Sequence, residues 1–380
     1  MRILQVGKYY APVRGGIENV VHSLSRALAR EHDVTALVFN TGRRTVEETM
    51  EGVRVIRVGS LGKVRSVEIA PSFPRWIGRV PADLVHLHVP NPVGALGVRL
   101  SRHMGGLVVT YHSDIVRQKA LKAIYAPLLG AVLDRADRII VSSLRYLETS
   151  TTLAAWRDKC VVIPLGLDLA DYRITPGIEA RAAELRSLHG ERIVLFVGRM
   201  VYYKGVDVLL HAARDLDAKI IVAGDGPTRE PMQKLAGELG LAGKVLFMGD
   251  IPHQEKLALY RASKVAVLPA THRSEAFGLV QVEAHACGRP VVSTDLDSGV
   301  PFVNEDGVSG LIVPPSDPGA LAKALRRLLG DDGLREKLGE GARARAVREF
   351  SLERVVRDTV ALYEEVTRMR GTAGRGPGRD

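Results

Sequence analysis

Short apolar runs alternate with amphipathic helical patterns from one end of the chain to the other, which predicts an α/β architecture built on parallel sheets. Two series of strands stand out. The first comprises Ile3–Val6, Val34–Phe39, Val53–Val58, Leu84–Leu87, Leu107–Tyr111, Arg138–Val141 and Val161–Ile163. The second comprises Ile193–Val197, Lys219–Val222, Val245–Phe247, Val265–Leu268, Pro290–Ser293 and Leu311–Val313. The polar stretch from Asp168 to Gly190, with Thr175-Pro176-Gly177 inside it, reads as the linker between them. The expected layout is a first domain over 1–170 and a second over 171–350, followed by a helix over 351–370 capped by Ser351. The glycine-rich segment 371–380 reads as a flexible tail. Two doubly wound domains facing each other would place a ligand cleft at the carboxyl ends of both sheets.

Length and composition agree with two cores, since 380 residues at 46% hydrophobic exceed what one domain usually holds. No apolar run reaches the roughly 18 residues of a membrane span, and Met1–Val6 is too brief for a signal-peptide core, so a cytoplasmic location is expected. Cys160 and Cys287 have neither metal-ligand nor redox spacing and are expected as buried thiols. The formal charge of +10 fits nucleic acid, anionic lipid or phosphorylated substrates. No nucleic-acid module or zinc-finger spacing is present, which argues against nucleic acid. Arg117, Lys119 and Lys122 instead alternate with apolar residues, as on a helix that lies on an anionic membrane surface or presents a solvated basic face.

The most informative spacing is Glu275-x7-Glu283. In a helix, eight residues advance about 12 Å, and Phe277-Gly278-Leu279 between the two carboxylates would present free N–H groups at a helix start. That layout matches a nucleotide sugar: hexose hydroxyls at Glu275, pyrophosphate at the helix N-terminus, ribose hydroxyls at Glu283. It also suits an amphipathic helix with two solvated glutamates. Adjacent Gly15 and Gly16 precede a helix over Ile17–Arg30 and would admit close backbone approach, although they form no GxGxxG fingerprint. Arg199 and Lys204, on a strand-end loop, offer a fork and a point charge for phosphate and are expected to touch only ligand. Tyr111-His112-Ser113-Asp114 closes another strand. Asp295-Leu296-Asp297 lacks a supporting cluster of metal ligands, and no metal is expected.

In order and spacing, Gly15-Gly16, Thr110–Asp114, Gly198-Arg199, Lys204-Gly205, Gly224-Asp225-Gly226-Pro227 and Glu275-x7-Glu283 together resemble the retaining family 4 glycosyltransferases over nearly the whole chain. The segments Ser298–Val303 and Gly307–Pro315 look like that family's second domain. The resemblance implies a GT-B fold of two Rossmann-like domains, with the C-terminal helix 351–370 crossing back to the first, and a metal-independent reaction without a protein nucleophile or a cofactor. It implies that Arg199 and Lys204 hold the donor diphosphate, Phe277, Gly278, Leu279 and Glu283 complete the donor site, and Gly15 and Gly16 approach phosphate or acceptor. His112, near the reacting carbon, and Glu275, on the hexose, are the implied catalytic pair, with Tyr111 and Asp114 on the acceptor side. Tyr111–Leu129 and Asp168 look most like bacterial mannosyl- or rhamnosyltransferases of polysaccharide assembly. GDP-mannose is the favoured donor, a UDP-sugar the alternative. The implied acceptor is a saccharide or lipid-linked saccharide at the inner face of the cell membrane. A sugar-nucleotide epimerase of the same fold and a non-catalytic basic binding protein are the competing readings.

Overall fold

A computed structural model describes residues 1–13, 15–64, 67–101, 103, 105–114 and 119–373, with the side chains of 119–124, 372 and 373 outside the description. The chain divides into two compact units, Met1–Leu165 with Leu352–Asp380, and Gly166–Ser351.

The first unit is built on an eight-stranded sheet. Its strands are β1 (Arg2–Val6), β2 (Asp33–Phe39), β3 (Val46–Met50), β4 (Val53–Val58), β5 (Leu84–Val89), β6 (Gly106–Tyr111), β7 (Arg138–Val141) and β8 (Cys160–Val162). They lie in the order β8-β7-β6-β5-β1-β2-β4-β3, and all pairs are parallel except β3 with β4. Strand order reverses between β1 and β5, and the residues following those strands stand where ligands bind in open α/β sheets. The helix Gly16–Leu28 and the C-terminal helix Leu352–Ala373 cover one face. Val21 and Leu24 from the former and Val355, Leu362, Tyr363 and Val366 from the latter pack into one core with Leu84 and Val108 of the sheet.

The second unit has six parallel strands, β9 (Ile193–Val197), β10 (Lys219–Ala223), β11 (Val245–Gly249), β12 (Val265–Leu268), β13 (Val291–Thr294) and β14 (Gly310–Val313). Their order, β11-β10-β9-β12-β13-β14, is the 3-2-1-4-5-6 arrangement of dinucleotide-type doubly wound sheets, reversing between β9 and β12. Helices bury both faces, one over a cluster with Val194, Phe196 and Leu325, the other over Leu195, Ile221 and Tyr260. The α/β, two-sheet Rossmann-like architecture expected from the alternating pattern is therefore present.

Two expectations fail. The stretch read as a linker holds a helix, Pro176–His189, whose first turn is capped by the Thr175 hydroxyl accepting from the Ile178 N–H. Ile178, Ala182 and Leu185 recur at helical spacing and are buried, so the polar composition belongs to the other face of that helix. Ion pairs from Arg181 to Glu255 and from Arg261 to Glu179 tie it to the helix His253–Ala262. The strand β3, Val-Glu-Glu-Thr-Met, was not expected, because an exposed antiparallel edge needs no apolar face.

The loops at the carboxyl ends of β9, β10 and β12 run backbone against backbone. A Cβ on Gly224 would overlap the Gly198 carbonyl oxygen, one on Gly226 the Met200 carbonyl, and one on Gly205 the Pro269 carbonyl. Gly205 also has φ 68°, in the left-handed region. Gly205→Ala is therefore expected to cost more than about 2 kcal/mol, from strain plus steric displacement. A thermal unfolding temperature equal to that of the parent protein would show that this contact is not tight.

Candidate active site

In the second unit the β9 loop separates its two cations. Arg199 is exposed and has neither hydrogen bond nor ion pair among the described residues. Lys204 lies on the one-turn helix Tyr202–Lys204, is 8% exposed, and places its ammonium 2.5 Å from a carboxylate oxygen of Glu275. Glu275 is equally buried. The expectation that both cations touch only ligand is corrected for Lys204, which neutralises a buried carboxylate brought alongside it by the loop after β12. Burial explains the pairing, since an unpaired charge at either position would be costly.

Phe277 and Gly278 prepare the helix Leu279–Ala286. Gly278 caps it at φ 79°, where a Cβ would come within 2.7 Å of Leu268 Cδ2, so glycine is required both by the backbone and by the space. The Phe277 ring is 3% exposed and meets Phe350 edge to face at 5.9 Å. Its side chain thus belongs to the core, which leaves backbone as its means of meeting a ligand. By helix geometry the N–H groups of Leu279 and Val280 have no intrahelical acceptor, whereas the Gln281 N–H donates to the Gly278 carbonyl at 2.8 Å.

Glu283, one turn on, is held internally. Its Oε1 accepts from the Tyr172 hydroxyl at 3.0 Å and the Lys256 ammonium at 2.7 Å, and its Oε2 accepts from the Tyr260 hydroxyl at 3.2 Å. A carboxylate accepts about four hydrogen bonds, so three internal donors leave capacity for roughly one more. Burial, and after it the neighbouring Glu283 charge, pushes both tyrosine hydroxyls up from their ordinary range, keeping them protonated as donors.

In the first unit, the Gly15-Gly16 loop leads directly into the helix Gly16–Leu28. Gly15 has an extended φ of 177°, and its side-chain position would collide with the Glu18 carboxylate folded over it. Gly16 is exposed, with nothing within 4 Å of a would-be Cβ. The fold itself does not demand glycine at position 16.

His112, at the end of β6, is 7% exposed and joins a buried polar chain. Its Nε2 lies 3.0 Å from His88 Nδ1, and His88 Nε2 lies 2.9 Å from Gln5 Oε1. The Gln5 amide nitrogen donates to the Tyr363 hydroxyl at 3.0 Å. That hydroxyl lies 2.5 Å from His86 Nδ1, and His86 Nε2 lies 2.6 Å from Thr110 Oγ1. Desolvation pushes the His112 imidazole down to about 4 and His86 down to about 3, and holds His88 well below its ordinary value. All three rings are neutral near pH 7. The Tyr111 hydroxyl donates to Asp114 at 2.7 Å, and the Asp114 N–H donates to the Tyr146 hydroxyl at 2.6 Å, fixing the turn after His112. Arg117 lies outside the described residues. So do the side chains of Lys119 and Lys122, although both positions fall on the helix Lys119–Arg135.

The structure thus joins Lys204 to Glu275, places Gly278 and Leu279 at a helix start, and leaves Arg199 open. Sequence spacing missed Lys256, Tyr172 and Tyr260 around Glu283, and missed Gln5, His86, His88 and Tyr363 behind His112. One signal was available for the second group: His86-Leu87-His88 puts two imidazoles on the same face of an otherwise apolar strand. Among the described residues, no cluster of three or more His, Cys, Asp or Glu side chains is arranged to hold a metal ion.

Two sheets of this topology, with their motif residues at carboxyl ends, define the class. Residues 15–166 match the glycosyl transferase 4-like domain, and residues 178–345 match the glycosyl transferases group 1 family. The O-antigen chain mannosyltransferase C of Escherichia coli is 34% identical over 367 residues, covering 96% of this chain and 98% of that protein. The D-rhamnosyltransferase WbpZ of Pseudomonas aeruginosa is 34% identical over 356 residues, covering 91% of each. Among solved structures, a sucrose-phosphate synthase from Thermosynechococcus elongatus aligns with a TM-score of 0.83 at 25% identity, over 97% of this chain and 99% of that one. The chain belongs to the GT-B glycosyltransferases that pair a glycosyl transferase 4-like domain with a group 1 domain.

The two cations of the β9 loop are expected to separate in stability measurements. Lys204→Ala leaves the Glu275 carboxylate buried and unpaired, a loss of about 3–5 kcal/mol, whereas Arg199→Ala stays within about 0.5 kcal/mol of the parent. Equal unfolding temperatures for both variants would contradict the pairing of Lys204 with Glu275.

Proposed function

We propose that this glycosyltransferase moves a hexose, with mannose favoured, from a nucleoside-diphosphate sugar to a saccharide or lipid-linked saccharide. In this reading the configuration at the anomeric carbon is retained and no divalent metal takes part. The observation that carries the reading is the exposed, unpartnered Arg199 guanidinium, held on a glycine-interlocked loop beside the buried Lys204–Glu275 pair. A guanidinium fork matches a diphosphate, and each charge-assisted hydrogen bond contributes about 1.5–3 kcal/mol. The name of the O-antigen chain mannosyltransferase relative supports mannose and a role in cell-surface polysaccharide synthesis; GDP-mannose is the favoured donor and a UDP-sugar the alternative.

Arg199 and the N–H groups of Leu279 and Val280 bind the leaving diphosphate, while Lys204 lies alongside with its charge balanced by Glu275. Glu283 spends its remaining acceptor capacity on a ribose hydroxyl, and Glu275 receives a hexose hydroxyl. Gly16 leaves room for phosphate or acceptor to approach the backbone, and His112 meets the sugar near the reacting carbon. The acceptor oxygen bonds to the anomeric carbon on the face from which the phosphate oxygen departs, and the acceptor proton passes to that phosphate. The Arg199 guanidinium and the start of the helix Leu279–Ala286 supply the charge compensation that a metal would otherwise give. No described helix is long and apolar enough to cross a membrane. Placement at the inner membrane face would come from the acceptor and from the basic segment around Lys119 and Lys122.

Incubation with a panel of nucleotide sugars, with and without saccharide acceptors and in excess chelator, tests the whole reading. Acceptor-dependent transfer in chelator is the expected result. Acceptor-independent conversion of the nucleotide sugar would indicate an epimerase, and loss of turnover restored by a divalent ion would overturn metal independence. Arg199→Ala is expected to weaken nucleoside-diphosphate affinity roughly ten- to hundredfold by calorimetry. Gly16→Ala is expected to melt with the parent yet lose transfer. Parental affinity in the first variant, or parental turnover in the second, would remove that residue from the site.

A further inference from the structure

The polar chain behind His112 has a direction. Gln5 turns its amide nitrogen to the Tyr363 hydroxyl and its oxygen to His88 Nε2, 2.9 Å away. A carbonyl oxygen only accepts, so His88 carries its proton on Nε2. A neutral imidazole has one N–H, which leaves His88 Nδ1 bare to accept from His112 Nε2 at 3.0 Å. His112 is thereby protonated on Nε2 and bare on Nδ1. At the other end the Tyr363 hydroxyl, already accepting from Gln5, donates to His86 Nδ1, and His86 Nε2–H donates to Thr110 Oγ1. Each link has one donor and one acceptor. Reversing the His88 or His112 link requires the Gln5 amide to turn over and both of those rings to change tautomer with it.

We propose that Gln5, His88 and Tyr363 are positioning residues that lock His112 in the Nε2–H tautomer, so that it meets the sugar only as a hydrogen-bond acceptor through Nδ1. This rests on the proposed contact of His112 with the sugar. The consequence is a specificity rule. The group recognised by His112 is a hydroxyl able to donate, and His112 itself delivers no proton during transfer. The most distant member, Tyr363, stands on the C-terminal helix and acts through two intermediaries.

The test uses the full chain with 15N-labelled histidine, whose eleven rings are assigned with the variants H112Q and H88Q. Long-range proton–nitrogen correlation is expected to show a pyrrole-type Nε2 and a pyridine-type Nδ1 for His112. In Tyr363→Phe, Gln5 loses the acceptor that orients its amide, and His112 is expected to show both tautomers. The kcat is expected to fall about tenfold with donor KM unchanged, the scale of one neutral hydrogen bond used in the transition state. Gln5→Leu, which removes the same link without touching the C-terminal helix, is expected to behave alike. In an H112Q background Tyr363→Phe is expected to cost no further kcat, because its effect passes through His112.

A proton on His112 Nδ1 in the parent, a His112 spectrum unchanged by both Tyr363→Phe and Gln5→Leu, or additive kinetic losses would each overturn the proposal. Parental kcat in H112Q would instead overturn the assignment of His112 to the sugar, an outcome that the spectra report separately.

Discussion

Backbone against backbone at the carboxyl edge of the second sheet is the constraint on which the loops carrying Arg199, Lys204 and Glu275 depend. Gly224 and Gly226 let the loops after β9 and β10 meet without side chains between them, and Gly205 lets the next turn pass under the loop after β12. Because the loops are locked together, two cations five residues apart end in opposite environments, Arg199 in solvent and Lys204 inside. A looser crossing would allow Lys204 to reach water, and Glu275 would then lose the partner that permits its burial.

The same logic distinguishes the two glutamates. Both are 8% exposed, yet one is matched by a single cation and the other by a cation and two phenolic hydroxyls. A carboxylate with one internal partner keeps most of its acceptor capacity for ligand, while one with three keeps little and gains rigidity. The eight-residue spacing therefore carries two different kinds of group: Glu275, paired with the single Lys204 ammonium, and Glu283, preorganised by its three neighbours.

Strands were legible where they are buried on both faces, since uninterrupted apolar runs leave few other structures open to them. The edge strand β3 was not, because its exposure removes the pattern. The helix Pro176–His189 is hidden in the sequence because Thr175-Pro176-Gly177 carries a turn signal at the very point where Ile178, Ala182 and Leu185 begin their helical spacing. Among site residues, Gly278 and Arg199 follow from local chemistry: a left-handed cap and a cation on a strand-end loop. Partners such as Lys204 with Glu275, or Gln5 with Tyr363, are joined only by tertiary folding across long sequence separations, and no local spacing encodes them. Only the two-residue repeat of His86 and His88 marked that face of β5 as polar.

The C-terminal helix gives the first unit an unusual schedule of completion. Val355, Leu362, Tyr363 and Val366 belong to the same core as Ile3, Val34 and Leu84. When the ribosome has finished Ser351, every residue of the second unit exists, but the first still lacks one wall of its interior and the hydroxyl that Gln5 and His86 share. Vectorial synthesis ordinarily lets the amino-terminal domain fold first. Here the amino-terminal unit cannot close its core around Ile3, Val34 and Leu84 before Val355–Val366 has been synthesised, by which point every residue of the second unit is already made.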